Sequence, residues 1–492
     1  MTTVRWIGEL SIFALLTALA FYAAAPFRHT LLDVVLVLAP LLIVFVALPA
    51  AKTLFRESAH VARSFTWWQG LWLVMFLSGL VFRLRDEYDI RQSAIDGWAM
   101  YRIGLDAIVG CVLITRLLNG KTRWNRPLFR GLIGIMVVYP LICLFSTTWS
   151  AAPGFTLFRS AEYLLDLSVA AALVATLDSV EEFQKWANWT WTLLGLLVLS
   201  AWIGAIVDPG DAFLEGYSYG PLRIRLEGVC PSVDANSIGE YCAILAGIAL
   251  CRLLDDPDHK YDRVWYRLLF VAALVTLIFT QTRADVAAFL VSLVLVFIFT
   301  RRLLLGTVLA VATSLAGVIT VLFTNFGYTV AGYLLRGQSL TEAESLTGRR
   351  DFWQFALQKI SERPWIGYGG YAGGRFVVLP GLGIPGGTEV LNTMVESFLD
   401  VGIWGPAVLV TVLVSIWWHL IRSSRHPALK PSERHLAVEI LLAVSVVSVR
   451  SFVTGNITSH VALAFLTILG CAEFLRRRMK FAQSPAEGLS PA

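Results

Sequence analysis

The chain is a succession of nearly unbroken apolar blocks separated by short polar connections. The blocks fall at 6–25, 30–49, 67–82, 99–118, 131–147, 160–177, 187–207, 237–253, 266–281, 284–300, 303–324, 394–421, 436–453 and 460–475. Most run to about 17–22 residues, enough for a helix to cross roughly 30 Å of hydrocarbon. In lipid a backbone must satisfy its own hydrogen bonds, so only helices and closed barrels span. Barrel strands alternate apolar and polar positions, whereas these blocks are apolar throughout. The pattern therefore predicts an all-α fold, a polytopic transmembrane bundle of about fourteen helices. The first block follows Arg5 and ends in Ala23-Ala24-Ala25, features shared with signal peptides. Its length, and a second block directly behind it, point instead to a retained span.

Two polar stretches are longer than turns. Residues 208–236 are rich in Gly, Pro and Tyr and carry Arg223 and Arg225. Residues 325–393 form the longest connection, and loops of that size are usually lids or binding elements. Within it Thr347 can cap a helix, Trp353, Ala356, Leu357 and Ile360 recur at helical spacing, and Pro364 with Gly367 ends the pattern. An amphipathic helix of about fifteen residues is expected there. The organisation that follows is eleven helices over 1–324, a large extracytoplasmic loop over 325–393, three helices over 394–475 and a cytosolic tail over 476–492.

Composition sharpens this picture. Of the 492 residues, 57% are hydrophobic and 15% charged, against about 25% charged in soluble domains. The net charge of +5 does not imply nucleic acid, because the basic residues sit in short connections. Lys52, Arg56, Arg63, Lys121, Arg123, Arg126, Arg130, Arg252, Arg301, Arg302, Arg422 and Arg425 all fall on one side if the N-terminus is inside. Such positive connections mark the cytosolic face, and an even number of spans returns the C-terminus to it. The six cysteines show neither a paired motif nor regular spacing, so no zinc site or disulfide framework is implied.

Ionisable groups near the membrane are costly and therefore mark candidate sites. On the outer side these are Arg159, Arg223, Arg225, Arg283 and Arg349, with Arg450 slightly deeper. Arg283 lies in the hairpin Gln281-Thr282-Arg283-Ala284-Asp285, almost too short to reach water. It is either a snorkelling anchor or partner of Asp285, or a clamp for phosphate oxygens, which a guanidinium fork fits. No HExxH occurs and the seven histidines are scattered, so neither metal nor cofactor is expected. His460, beside Asn456 and Ser459 at the start of the last block, is either an interface residue or a titrating group. The stretch Gly367-Tyr368-Gly369-Gly370-Tyr371-Ala372-Gly373-Gly374 follows a helix instead of a strand, so the nucleotide-binding readings fail. It is a tight turn, or a turn that offers backbone N–H groups to a ligand.

The long loop carries a resemblance. Leu346-Thr347-Gly348-Arg349, Trp353, and Glu362-Arg363-Pro364-Trp365-Ile366-Gly367-Tyr368-Gly369 resemble the signature of the O-antigen ligase/polymerase superfamily, most closely its exopolysaccharide polymerase branch. Ser146 to Pro153 with Arg159, Arg225 to Asn236, Gln281 to Asp285, and Asn392 to Gly405 with Asp400 are similar to further family segments, in family order. The likeness covers about residues 130–475. Two positions depart from it: Ala235 where the family often has Pro, and Leu391 where it has His.

What the resemblance implies is a glycosyltransferase in the bacterial inner membrane, its active site facing the periplasm. Donor and acceptor would be oligosaccharides carried on undecaprenyl pyrophosphate, with a flippase and a chain-length regulator as companion proteins. Arg159, Arg223, Arg225, Arg283 and Arg349 would hold the pyrophosphate, and Asn392, Trp353, Trp365, Tyr368 and Tyr371 the glycan. With Leu391 in place of the His, either the base is Glu389, Glu396, Asp400 or His460, or no strong base is needed. A polysaccharide polymerase is the leading expectation. The alternatives are a ligase acting on lipid A core and, from another class, a lipid-linked oligosaccharide flippase. Outer-rim charges without repeated halves favour an enzyme over a carrier.

Overall fold

A computed structural model describes residues 43–44, 48–49, 52–56, 65–80, 96–121, 123–215, 224–254, 262–299, 349–383 and 392–483. The blocks at 6–25 and 303–324, nearly all of 30–49, and Arg223, Glu389 and Leu391 lie outside them.

Local chemistry fixes where the helices begin. Helices α1 (Trp67–Ser78) and α2 (Gly97–Leu118) form a hairpin, and Asp96 caps α2 by accepting from the Ala99 N–H at 2.8 Å. Helix α3 (Gly131–Phe145) leads through a turn to α4 (Pro153–Thr176), whose first residue needs no N–H donor. In α5 (Val180–Val207), Ser179 and Glu182 cap each other's backbone reciprocally. A two-stranded ribbon follows, β1 (Phe213–Glu215) antiparallel to β2 (Ile224–Leu226), with Leu214 opposite Arg225. Then come α6 (Ala235–Leu254), α7 (Arg263–Phe279), α8 (Arg283–Phe299) and α9 (Arg349–Glu362). The chain closes with α10 (Thr393–Val401), α11 (Trp404–Arg425), α12 (Pro431–Ser451) and α13 (Leu463–Gln483).

The expected all-α bundle is what forms. Helices α4, α5, α6, α12 and α13 make its centre, around the fully buried Trp72, Trp186, Trp191 and Trp202. At Gly470 of α13 a Cβ would meet the Trp186 ring at 2.3 Å, so a bare backbone lets these helices close. Helix α2 buries only one edge, at Val109 and Leu113, and shows Ile108, Ile114 and Leu118 outward. That is the distribution a lipid-facing helix has. Among the described residues, five helices are long and apolar enough to cross a membrane: α2, α3 with its turn, α5, α6 and α11. Helices α4, α12 and α13 are as long but hold several charges, and these are largely paired within the bundle.

Three boundaries differ from the sequence expectation for physical reasons. The block 394–421 is two helices, because Gly402 takes φ +68 against the backbone of Trp365, where no side chain fits. Block 160–177 begins earlier, at Pro153. The closing arginines Arg476, Arg477 and Arg478 ride the last turns of α13. The loop helix forms as α9, burying Ala356 and Ile360 against Val378 and Leu399.

Candidate functional site

One group of polar side chains buried inside the bundle gathers where α4, α6, α8 and α13 begin and α1 and α12 end. A non-helical segment, 452–462, crosses this end between α12 and α13. Irregular backbone at membrane depth is tolerated where protein buries it or where it lines a cavity. Here its groups are taken by four surrounding helices, α10, α6, α4 and α1. Asn392 donates to the Phe452 carbonyl (3.0 Å) and Thr393 to that of Thr454 (2.6 Å). Asn456 donates to Glu240 of α6 (3.2 Å), and Tyr163 of α4 to the Ile457 carbonyl (2.7 Å). His460 then meets α4 and α1.

Two networks rest on this segment. In the first, Arg450 of α12 lies 2.8 Å from Asp285 of α8 and 3.4 Å from Glu240. Asp285 thus pairs across the bundle with Arg450. The second network centres on Glu162 of α4, whose oxygens meet Arg102 (2.6 Å) and Arg159 (3.0 Å). Beside it, His460 Nδ1 is 3.2 Å from Asp166, which also accepts from the Val461 N–H (3.0 Å). His460 Nε2 faces Ser78 Oγ at 3.1 Å and Asp106 at 3.7 Å. An imidazole with a carboxylate on one nitrogen is fixed in orientation, and here Ser78 engages the other.

Of the expected arginines, Arg159 belongs to the second network, and Arg225 and Arg283 lie on two elements fastened to each other. Gln281 donates to the Ile224 carbonyl, which fastens the hairpin carrying Arg283 to the strand carrying Arg225. Arg283 is half-buried at the start of α8, two residues from Asp285. Arg225 pairs with Glu227 at 3.5 Å; burial raises that carboxylate's pKa and Arg225 opposes the rise. Arg159 joins the His460 side, with its guanidinium 5.9 Å from the rings of Phe155 and Tyr371. Arg349 opens α9.

The glycan candidates have mixed surroundings. Asn392 is buried, and its carbonyl caps α10 by accepting from Met394 and Val395. Tyr368 donates to Glu362 (2.9 Å); burial first and that carboxylate second push its phenol up to about 12. Glu362 is held below the usual carboxylate range, first by Lys359 and then by Tyr368. Trp353 packs in the small core under α9, and Trp365 is 67% exposed. Tyr371 has a left-handed φ of +62 and a buried hydroxyl without a hydrogen-bond partner among the described residues. Strain in a non-glycine residue with an unsatisfied donor often accompanies function. Of the base candidates, Glu396 sits in the first turn of α10 and Asp400 at its end, accepting from the Gly373 N–H at 3.1 Å.

The glycine stretch is a tight turn whose N–H groups serve the fold. Gly370 donates to Ser146 Oγ (2.8 Å), Tyr368 to the Leu399 carbonyl and Gly369 to that of Asp400 (both 2.8 Å). Thr156 returns a bond to the Gly370 carbonyl at 2.7 Å. Gly369 has φ +102 and lies so close to Ser150 that a Cβ would sit 2.2 Å from its Oγ. The turn therefore docks the long loop onto α3, α4 and α10, and the ligand-donor expectation for these N–H groups gives way to it.

Sequence reading missed Arg102, Asp106, Glu162, Asp166 and Glu240. Their signal was present, since each is an ionisable residue inside or beside an apolar block. One trio, Asp106, Glu162 and His460, brings ligand atoms within 4.8 Å of one another. Arg102 and Arg159 already neutralise Glu162 there, so the charge balance favours ion pairing over a cation.

The fold and this site define a helical membrane protein with ion-paired networks gathered under a docked loop. Residues 268–410 match the family described as O-Antigen ligase, and this match supports the likeness to the O-antigen ligase/polymerase superfamily. The segment takes in the Arg283 hairpin, α9, the glycine turn and α10. Enzymes of that family are glycosyltransferase-like and work on lipid-linked glycans in a membrane. Among curated proteins no match to the chain is found.

Proposed function

We propose that this protein is a polysaccharide polymerase that joins undecaprenyl-pyrophosphate-linked oligosaccharide repeats at the periplasmic face of the inner membrane. The observation that carries the reading is the hairpin inside the family-matched segment. It carries Arg283, Gln281 fastens it to the strand that carries Arg225, and Asp285 on the same hairpin joins Arg450 and Glu240. A pyrophosphate leaving group develops charge close to hydrocarbon, and prepositioned guanidiniums stabilise that charge where water is scarce.

In this mechanism an acceptor sugar hydroxyl attacks the donor's anomeric carbon. The C–O bond to pyrophosphate breaks, and the electron pair leaves with the phosphate. Arg225 and Arg283 hold that phosphate, with Arg223 and Arg349 as further contacts and Arg159 on the far side of the segment 452–462. The hydroxyl proton passes to a base. Among the described candidates, His460 is the one whose ring a carboxylate orients, Asp166 at 3.2 Å, while Glu389, Glu396 and Asp400 remain the carboxylate choices. Trp365, exposed beside the docked turn, is the ring best available to stack on a sugar face. The companion flippase and chain-length regulator belong to the same proposal.

The ligase is the second reading, favoured by the description of the matching family. Leu391, at the place of the family's His, weighs against it. The test supplies purified protein in detergent with a lipid-linked repeat from its own host, without ATP or metal. A ladder of longer lipid-linked glycans is expected. Transfer only after lipid A core is added would replace the polymerase with the ligase. No transfer, with scrambling of the lipid in vesicles, would establish the carrier.

A further inference from the structure

At the opposite end of the bundle lies a cavity of about 240 Å³ lined by Arg126, Pro127, Arg130, Glu473, Arg476 and Arg477. Four guanidiniums surround one carboxylate, and the carboxylate is already committed. Glu473 accepts from Arg476 Nε and Nη2 (both 2.7 Å), from Arg477 Nε (2.9 Å) and from the Leu132 N–H (3.0 Å). Gly131 makes room for it: a Cβ there would fall 2.2 Å from a Glu473 oxygen. Glu473 thus holds two arginines in place and contributes little negative potential of its own. Arg477 reaches that carboxylate through Nε, and Arg126 and Arg130 are exposed residues of the same lining. The lining carries an excess of three positive charges in a small concave space.

Its surroundings are those of a membrane boundary. Phe129, 64% exposed, lies between the two exposed arginines in sequence, and Phe481, 76% exposed, lies one turn beyond Arg477. An apolar ring beside a basic hollow matches a molecule with a negative head and an apolar body. We propose that this cavity binds the phosphate headgroup of an anionic phospholipid, gripped by Arg126 and Arg130 with Arg477 behind them. Guanidiniums suit phosphate because they offer paired donors in one plane. Basic hollows between helices at the cytoplasmic boundary are where such headgroups bind. The site lies away from the glycan networks and does not depend on how those are read.

The test is native mass spectrometry of the full-length protein titrated in detergent with cardiolipin, phosphatidylglycerol or phosphatidylcholine, and separately with inorganic phosphate. The wild type should retain the two anionic lipids and shed phosphatidylcholine. R126Q/R130Q should weaken retention by about 30-fold, as expected for two basic residues at an anionic surface. R123Q/R422Q removes equal charge from the same end outside the cavity and should bind as the wild type does. Equal loss in both variants would reduce the effect to bulk charge and overturn the proposal. So would occupancy by inorganic phosphate at the affinity of the lipids. Because Arg126 and Arg130 hold no ion pair among the described residues, R126Q/R130Q should keep the wild-type melting temperature without lipid.

Discussion

At the residue scale, charge inside an apolar bundle must be balanced where it sits. Arg450, nearly fully buried, does this against Asp285 and Glu240. Arg450→Ala leaves two buried carboxylates without their cation, so a loss of about 3–5 kcal/mol is expected. Thermal unfolding of the purified variant would read it, and an unchanged midpoint would mean that the carboxylates find water instead. The sequence made the arginines legible, because each stands out against an apolar block or short hairpin. Their acidic partners were not legible, because Asp285 and Arg450 meet only once α8 and α12 pack. Arg252 shows the same limit from the other side. By sequence it counts among the cytosolic connection charges, yet it is fully buried and donates to Glu439, Asn188 and Tyr266.

At the scale of elements, the long loop is an organised piece that docks by backbone. Helix α9 was readable from its spacing and its following proline. The docking was not, because it depends on glycines whose close approach no periodicity encodes. Within the loop, Glu362 ties Lys359 to Tyr368. Its pKa is lowered on folding, so the tie is present above the ordinary carboxylate pKa of about 4.3 and is lost as pH falls through the lower folded value. Amide exchange over 359–373 should therefore stay slow from neutral pH down to the carboxylate range, and rise below it. Tyr368→Phe should speed that exchange at neutral pH. No change in the variant would show that packing alone holds the turn.

At the scale of the whole molecule, two buried ionic centres stand at opposite ends of the bundle. The Arg252–Glu439 pair is closed on every side by Gln184, Asn188, Trp191 and Tyr266, which marks it as a fastening between α6 and α12. Arg252→Met should cost about 3–5 kcal/mol by stranding Glu439, while R252M/E439L should recover most of it. Failure to recover would mean that the pair also governs folding. The other end is different in kind. There the arginines lie at varied depths, one non-helical segment joins two networks, and a loop is docked above them. Fold class was legible across the chain because lipid imposes so strict a pattern. Chemistry was legible only in fragments, since a site drawn from eight helices has no local spelling.

The most direct test of the account is the rate of glycan transfer by Arg283→Ala and His460→Asn in the purified system, measured beside their melting temperatures. The account predicts that R283A loses about 10²–10³-fold in rate, as removal of a preorganised charge-stabilising donor does. H460N should lose about 10²–10⁴-fold, the usual contribution of a positioned base. Both should remain folded in the membrane. Wild-type rates from both folded variants would contradict it, and would move the reaction away from this end of the bundle.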